Sequence, residues 1–262
     1  MVRIGTALFG EPGMRPPEGW ARSAISALFV DEGSATGAAT VLCAGQPSNF
    51  VLKSIREVPD EDWVRLTQSQ FAPVEITPQF WIVPSWHEPP DGASHVIRLD
   101  PGMAFGTGTH ATTRMCLRWI AHHGGARSAS WTRVLDYGCG SGILAIAAAL
   151  HGGRDIDAVD IDPAAIEATR ANAKANGVRL NAALPQAAQG VYPLVLANIL
   201  ATPLKLLAPL LCEHVAQGGD LVLAGILERQ ADELARAYAS WCDLQVGDTE
   251  DGWVLMSARR AR

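Results

Sequence analysis

The segment LDYGCGSGILAIAAAL (residues 135–150) joins an apolar run, a turn with alternate glycines and an alanine-rich run. Its first residues are typical of a buried strand, and the run that begins near Ser141 is typical of a helix. A strand, a glycine turn and a helix in succession place backbone N–H groups and a helix N-terminus beside a ligand. The segment therefore predicts an α/β fold with a ligand site at the end of a strand.

The glycine spacing distinguishes between nucleotide ligands. Gly138, Gly140 and Gly142 form the pattern G-x-G-x-G. The dinucleotide fingerprint is G-x-G-x-x-G, and Ile143 stands where its third glycine would be. A nicotinamide oxidoreductase is therefore the least favoured interpretation. The glycines alone are also compatible with a plain strand-to-helix turn that binds no ligand.

An acidic residue at the end of the next strand favours a ligand that carries a ribose. Asp160 closes DAVDI at close to the spacing, about 20 residues after the glycine turn, from which a carboxylate reaches ribose hydroxyls. Asp162 lies two positions on and points to the same side of the strand, where it could instead cap the helix that begins at Pro163. We assign the ribose to Asp160.

Four strand-helix units in succession predict a parallel, doubly wound sheet. Their strands read VLDYG, DAVDI, PLVLANI and DLVLAGI, and their helices begin near Ser141, Pro163, Pro203 and Glu228. DLQV and WVLMSARR predict a closing antiparallel hairpin through GDTEDG. Upstream, residues 80–86 and 95–100 predict two strands in a hairpin-like pair.

The first part of the chain gives a weaker pattern. Residues 24–30 and 50–58 predict strands on either side of a helix over residues 33–44, and residues 59–71 predict a connecting helix. We therefore expect an N-terminal substrate-recognition domain over residues 1–58, a linker helix over 59–78 and a catalytic domain over 79–262.

Composition limits the class of protein. The chain has 262 residues, 48% of them hydrophobic, and a net charge of −6, so no basic field exists to attract nucleic acid or an anionic membrane. The five cysteines are scattered without a C-x-x-C pair, which predicts reduced thiols and no metal site. The first residues lack the pattern of a secretory leader, and we expect a cytoplasmic protein.

Further motifs carry a family resemblance. DPGMAFGTGTHATT (residues 100–113), VDIDPAAIEATRANAKANGV (159–178) and VLANIL (195–200) accompany the glycine turn in order. With them the chain, from about residue 57 onward, resembles the class I S-adenosyl-L-methionine-dependent methyltransferases. Within that class it resembles the bacterial family that acts on large-subunit ribosomal protein L11. The resemblance implies a mostly parallel, seven-stranded Rossmann-like sheet and methylation of lysine and α-amino groups of L11 as the protein substrate. We also expect a monomer.

The resemblance also implies site residues. Thr113, Gly138, Gly140, Asp160 and Asn198 fall at the family's cofactor-contacting positions. Asn198 is in addition the catalytic candidate, because a carboxamide oxygen at the end of a strand can accept a hydrogen bond from the substrate amine and orient its lone pair. The alternative role for Asn198 is to cap the helix before Pro203.

The FGTGTH run (residues 105–110) suits a mobile loop that folds over the site, and an ordinary polar turn is its alternative. Within it, His110 has two possible roles, a general base or an anchor of the loop. We favour the anchor.

The sequence departs from the family pattern in several places. The family's N-terminal domain is ferredoxin-like, and the residues before Glu57 are too few for it, so we expect an incomplete domain whose start is truncated or misplaced. Pro193 replaces an acidic residue, and Ala111 replaces a proline. Residues 181–190 contain no acid to hold an adenine amino group. Two alternatives therefore stay open: a methyltransferase for another amine or amide acceptor, and a non-catalytic module that keeps the cofactor fold.

Overall fold

The computed structural model describes residues 27, 29–45, 51–55, 71–100 and 108–261. The chain divides into two compact units, Met1–Thr67 and Gln68–Arg262. The domain boundaries expected from the sequence stay predictions.

The first unit contains the expected helix, α1 (Glu32–Gly45), which begins after Asp31. The Asp31 carboxylate accepts a hydrogen bond from the Ser34 N–H at 2.7 Å, which satisfies one of the free donors at the helix start. The strands expected on either side are not found where they can be checked. Residues 27, 29, 30 and 51–55 have no strand pairing, and the remainder of both segments lies outside the described residues, as does the predicted connecting helix up to residue 70.

Val51 shows why residues 51–55 do not form the expected strand. A strand persists when its backbone pairs and one of its faces is buried. Val51 is 85% exposed, and residues 51–55 form no ladder with any residue that the structure describes.

The second unit opens with a small sheet of β1 (Val74–Thr77), β2 (Phe80–Val83) and β3 (His95–Arg98). The hairpin is formed by β1 and β2, whereas β2 and β3 run parallel, so the predicted pairing of β2 with β3 as a hairpin is wrong. The connection after Val83 is long enough to return the chain to the start of β2. There the Gln79 carbonyl accepts hydrogen bonds from Ser94 and His95, which sets the parallel register.

The main sheet has seven strands in the order β6-β5-β4-β7-β8-β10-β9, and β10 alone runs against the others. This confirms the mostly parallel sheet and the closing hairpin. Its strands are β4 (Val134–Tyr137), β5 (Ile156–Val159), β6 (Asn181–Ala183), β7 (Tyr192–Asn198), β8 (Val215–Leu227), β9 (Gln245–Glu250) and β10 (Trp253–Arg259). The sequence did not predict β6, because Asn-Ala-Ala lacks the β-branched and aromatic residues that mark strands.

Helices cover both faces of this sheet, as expected for a doubly wound fold. Along β7, Leu194 and Leu196 belong to one apolar cluster while Val195 and Ala197 belong to the other. The helices are α2 (Ala111–Arg127), α3 (Ile143–Leu150), α4 (Pro163–Ala175), α5 (Ala201–Leu206), α6 (Ala208–His214) and α7 (Ala231–Tyr238). The first cluster includes residues of α2 and α3, and the second includes residues of α5, α6 and α7.

Two helical details differ from expectation. The segment expected as one helix from Pro203 is two short helices, α5 and α6, that meet at Leu207. The sequence placed a helix end near His122 and His123 without giving bounds, and the structure has the 17-residue helix α2 there. In the described part of the chain, no helix has both the length and the apolar character needed to cross a membrane.

Candidate functional site

The glycine turn lies between β4 and α3, at the edge of the sheet where the parallel strands end. Gly138, Gly140 and Gly142 all have positive φ angles, of 80°, 54° and 79°. A Cβ atom on Gly138 would lie 2.4 Å from the Ile199 Cγ2 atom. Gly138 is therefore required both for its backbone conformation and for the close approach of the chain that follows β7.

The two aspartates after β5 make different contacts in the protein. The Asp162 carboxylate accepts a hydrogen bond from the Ala164 N–H at 2.9 Å and caps α4. The Asp160 Oδ2 atom accepts one from the Gly140 N–H at 2.9 Å, and its Oδ1 atom accepts one from the Asp162 N–H at 3.0 Å. Asp160 thus ties the end of β5 to the glycine turn, and its partly exposed carboxylate keeps lone pairs for a further donor.

Asp136 is a site residue that the sequence analysis passed over. Its side chain is fully buried, and its Oδ2 atom accepts a hydrogen bond from the Ala145 N–H at 3.0 Å. Its Oδ1 atom has no hydrogen-bond partner among the described residues. Burial, with a smaller contribution from the nearby Asp160 charge, raises the pKa of this carboxyl to about 7, although the hydrogen bond from Ala145 lowers it.

A buried acceptor without a partner is costly unless a ligand donates to it. The unpaired Asp136 oxygen beside the glycine turn therefore fits a cationic donor. Its position as the first residue of D-x-G-x-G-x-G was the signal that could have identified it.

Asn198 and Thr113, which are 85 residues apart in sequence, meet at this edge. The Asn198 Nδ2 atom donates a long hydrogen bond of 3.4 Å to the Thr113 Oγ1 atom. Thr113 is completely buried in the first turn of α2, and Asn198 ends β7. The alternative role of Asn198 as a helix cap is wrong, because Leu200 occupies the N-cap position of α5.

His110 anchors the start of α2, as favoured from the sequence. Its Nδ1 atom accepts a hydrogen bond from the Thr112 N–H at 3.3 Å and lies 2.8 Å from the Thr112 Oγ1 atom. Its ring packs edge-on against Trp253, with centroids 5.1 Å apart. Burial first, and then the Arg114 charge, lower the pKa of His110. Residues 105–107, half of the predicted mobile loop, lie outside the described residues.

Two exposed apolar side chains follow the neighbouring strand ends. Ile161, after β5, is 83% exposed, and Leu184, after β6, is 48% exposed. The two strand ends are adjacent, because the Asp160 N–H donates to the Ala183 carbonyl at 3.2 Å. Together they offer an apolar surface next to Asp160. The sequence analysis looked only for an acidic contact to the adenine and did not predict this surface.

The chain matches a family model described as "Ribosomal protein L11 methyltransferase (PrmA)" over residues 4–261. The chain belongs to this ribosomal protein L11 methyltransferase family. A relative of that name from Polaromonas sp. is 68% identical over 255 residues, which cover 97% of this chain and 85% of the relative. A further relative from Cupriavidus pinatubonensis is 49% identical over 259 residues, with the same coverage of both chains.

A solved structure agrees with the membership of the ribosomal protein L11 methyltransferase family. The crystal structure of the ribosomal protein L11 methylase from Lactobacillus delbrueckii subsp. bulgaricus is 31% identical to this chain. It aligns with a TM-score of 0.62 and covers 73% of this chain and all of that structure.

The two replacements noted against the family pattern are accommodated locally. Pro193 lies near the entry of β7, at an irregularity in the pairing of β7 with β8 where its missing N–H is tolerated. Ala111 is the first residue of α2, the helix position at which proline is also favoured.

Proposed function

We propose that this chain transfers methyl groups from S-adenosyl-L-methionine to lysine side chains, and to an α-amino group, of large-subunit ribosomal protein L11. The observation that carries the proposal is the meeting of Asn198 with Thr113 beside the glycine turn, in a chain that belongs to this family. We further propose that the enzyme acts as a cytoplasmic monomer without contacting nucleic acid or a membrane.

The residues at the sheet edge fit the cofactor group by group. Asp160 accepts hydrogen bonds from the ribose hydroxyls, and the orphaned Asp136 oxygen accepts one from the ammonium of the methionine part. Gly138 and Gly140 let that part approach the backbone. Ile161 and Leu184 supply apolar contact to the adenine. When bound, the cofactor supplies an electrophilic methyl group on a sulfonium.

Asn198 orients the acceptor amine. Its Nδ2 atom is engaged by Thr113, which leaves the Oδ1 atom to accept a hydrogen bond from the amine. A hydrogen bond at this oxygen fixes the direction of the nitrogen lone pair, which is the positioning that an in-line methyl transfer needs.

The amine must be neutral before it reacts, since a free lysine has a pKa of about 10.4. We infer that solvent takes the proton and that partial burial of the amine favours its neutral form. His110 is not needed as a base, because its Nδ1 atom is used by Thr112.

Residues 1–58 are proposed to recognise L11, with residues 59–78 as the link to the catalytic domain over 79–262. The residues proposed above to hold the cofactor and the amine all lie within 79–262.

Intact-mass analysis of L11 after incubation with enzyme and cofactor tests the proposal. We expect mass increments of whole methyl groups with the unaltered enzyme. Asn198→Ala should lower the turnover number about 100-fold or more, while the cofactor dissociation constant from calorimetry changes little. Asn181→Ala, at an exposed strand position, is the matched control and should retain turnover.

Two other outcomes of the methylation assay would contradict the proposal in different ways. Methylation of small amines but not of L11 would show that the acceptor is another amine. Cofactor binding without methylation of any acceptor would show that the chain is a binding module.

A further inference from the structure

Arg114 connects three parts of the chain around the start of α2. Its Nη1 atom donates to the Thr109 carbonyl, in the segment that leads into the helix. Its Nε atom donates to the Glu250 Oε1 atom at 2.7 Å, and its Nη2 atom also donates to Glu250 and lies 3.4 Å from the Asp251 Oδ2 atom. Glu250 and Asp251 belong to the end of β9 and the turn before β10.

The pairing of Arg114 with Glu250 is shielded from solvent. The two side chains are 23% and 22% exposed, unlike the open surface pairs that contribute little. The pKa of Glu250 is held below its usual value although burial opposes this, because hydrogen bonds from Arg114 and Arg118 favour the carboxylate. A guanidinium held by two carboxylates and a carbonyl has little freedom to move.

Arg118 provides an internal comparison one helical turn further on. It donates to the Asp248 Oδ2 atom at 2.8 and 3.1 Å and to the Glu250 Oε2 atom at 2.6 Å. Its exposure, 27%, is close to that of Arg114. Both arginines therefore fasten α2 to the β9–β10 hairpin, but of the two it is Arg114 that bonds to the segment before the helix.

Arg114 lies next to the residues of α2 that contact the end of β7. Thr113, the adjacent residue, meets Asn198, and Thr109, whose carbonyl Arg114 binds, directly precedes the helix cap His110. Movement of the first turn of α2 would displace the Thr113 hydroxyl and release the Asn198 amide. We propose that Arg114 is a positioning residue for methyl transfer: it holds residues 109–113 in register with the end of β7.

This inference rests on the proposed function through Asn198, but its test does not depend on activity alone. In the ligand-free proteins, Arg114→Ala should speed hydrogen–deuterium exchange in a peptide that covers residues 108–115. Arg118→Ala should leave that peptide protected. Both variants should lose similar free energy of unfolding in urea, because both remove a shielded pairing with the same hairpin.

With L11 as substrate, Arg114→Ala should lower the turnover number 10- to 100-fold, since small misplacements of a positioning group are that costly. The Michaelis constant for L11 should change little. Arg118→Ala should keep the turnover number within about threefold. Arg114→Lys, which retains the charge but not the fork of donors, should recover part of the loss.

Equal losses of turnover in the two alanine variants, or equal exchange in residues 108–115, would overturn the positioning role. Failure of the unaltered enzyme to methylate L11 would instead count against the proposed function, and the exchange comparison would still decide the role of Arg114.

Discussion

Asp136 holds a carboxyl group of which only one oxygen has a hydrogen-bond partner among the residues that the structure describes. Because burial raises its pKa to about 7, the group is largely protonated in the ligand-free enzyme at slightly acid pH. An ammonium that binds there favours the carboxylate and lowers its pKa. Binding of the cofactor is therefore expected to release a proton, and affinity should increase as the pH rises from 5.5 toward 7.

Calorimetry across that range, in buffers of different ionisation enthalpy, measures both effects. The dissociation constant should fall by up to about tenfold per pH unit. Asp136→Asn should bind about 10- to 100-fold more weakly above pH 7 and show no such slope. A wild-type affinity that does not vary with pH would mean that the cofactor ammonium lies elsewhere.

The residue scale also shows what local patterns can reveal. The helix cap at Asp162 was recognisable from the sequence, because this residue precedes a proline that starts a helix. The ribose role of Asp160, inferred from its spacing after the glycine turn, stays a prediction. The position of Asp136 in the motif D-x-G-x-G-x-G could have drawn attention to it, but its burial and the lack of a partner for one oxygen among the described residues are visible only in the structure. Neither the burial of the side chain nor the unpaired oxygen can be inferred from the residues next to Asp136 in the sequence.

At the scale of elements, the end of β7 depends on a close contact with β8. Gly225 has a φ of 85°, and a Cβ atom there would lie 2.2 Å from the carbonyl oxygen of Ile199, the residue after Asn198. We expect Gly225→Ala to displace this segment, lowering stability by about 1–3 kcal/mol and also lowering the turnover number. Urea unfolding and L11 methylation assays measure the two effects.

Gly177→Ala is the control for that experiment. Gly177 also has a positive φ, of 65°, but no heavy atom of the described residues lies within 4 Å of its Cβ position. It should lose stability through backbone conformation without losing turnover. Wild-type turnover in Gly225→Ala would mean that Asn198 does not depend on this contact.

Elements with a regular pattern were predicted well, and elements defined by distant partners were not. The apolar runs of β4, β7 and β8 are buried on both faces, so they were recognisable as parallel strands. The parallel pairing of β2 with β3 depends on the Gln79 carbonyl and a long connection. The meeting of Thr113 with Asn198 depends on α2, a helix whose first turn follows a glycine-rich segment that suggested only a loop.

At the scale of the whole molecule, α1 offers a test of the proposal that residues 1–58 recognise L11 while residues 79–262 transfer the methyl group. Val41 and Leu42 on this helix are 73% and 55% exposed. If residues 1–58 recognise L11, a Val41→Glu, Leu42→Glu variant should raise the Michaelis constant for L11 about tenfold or more, since burying either side chain contributes about 1.5–3 kcal/mol.

The dissociation constant for the cofactor should not change in that variant. The residues proposed to hold the cofactor lie in the unit Gln68–Arg262, whereas the two substitutions lie in Met1–Thr67. A Thr36→Glu, Thr40→Glu variant, which adds the same two negative charges at exposed polar positions of α1, serves as the control. Wild-type kinetics in the double variant would show that this part of α1 takes no part in recognising the substrate.

The position of β10 between β8 and β9 has a consequence for how the protein is made. All the residues proposed to touch the cofactor precede β8 in the chain, yet one side of β8 stays unpaired until β10, which is translated after both of its neighbours, has inserted between them. During synthesis, the edge of β8 that pairs with β10 in the complete sheet is therefore exposed to solvent and to other chains. A premature stop codon after β9 would spare every cofactor contact but leave a chain prone to aggregate.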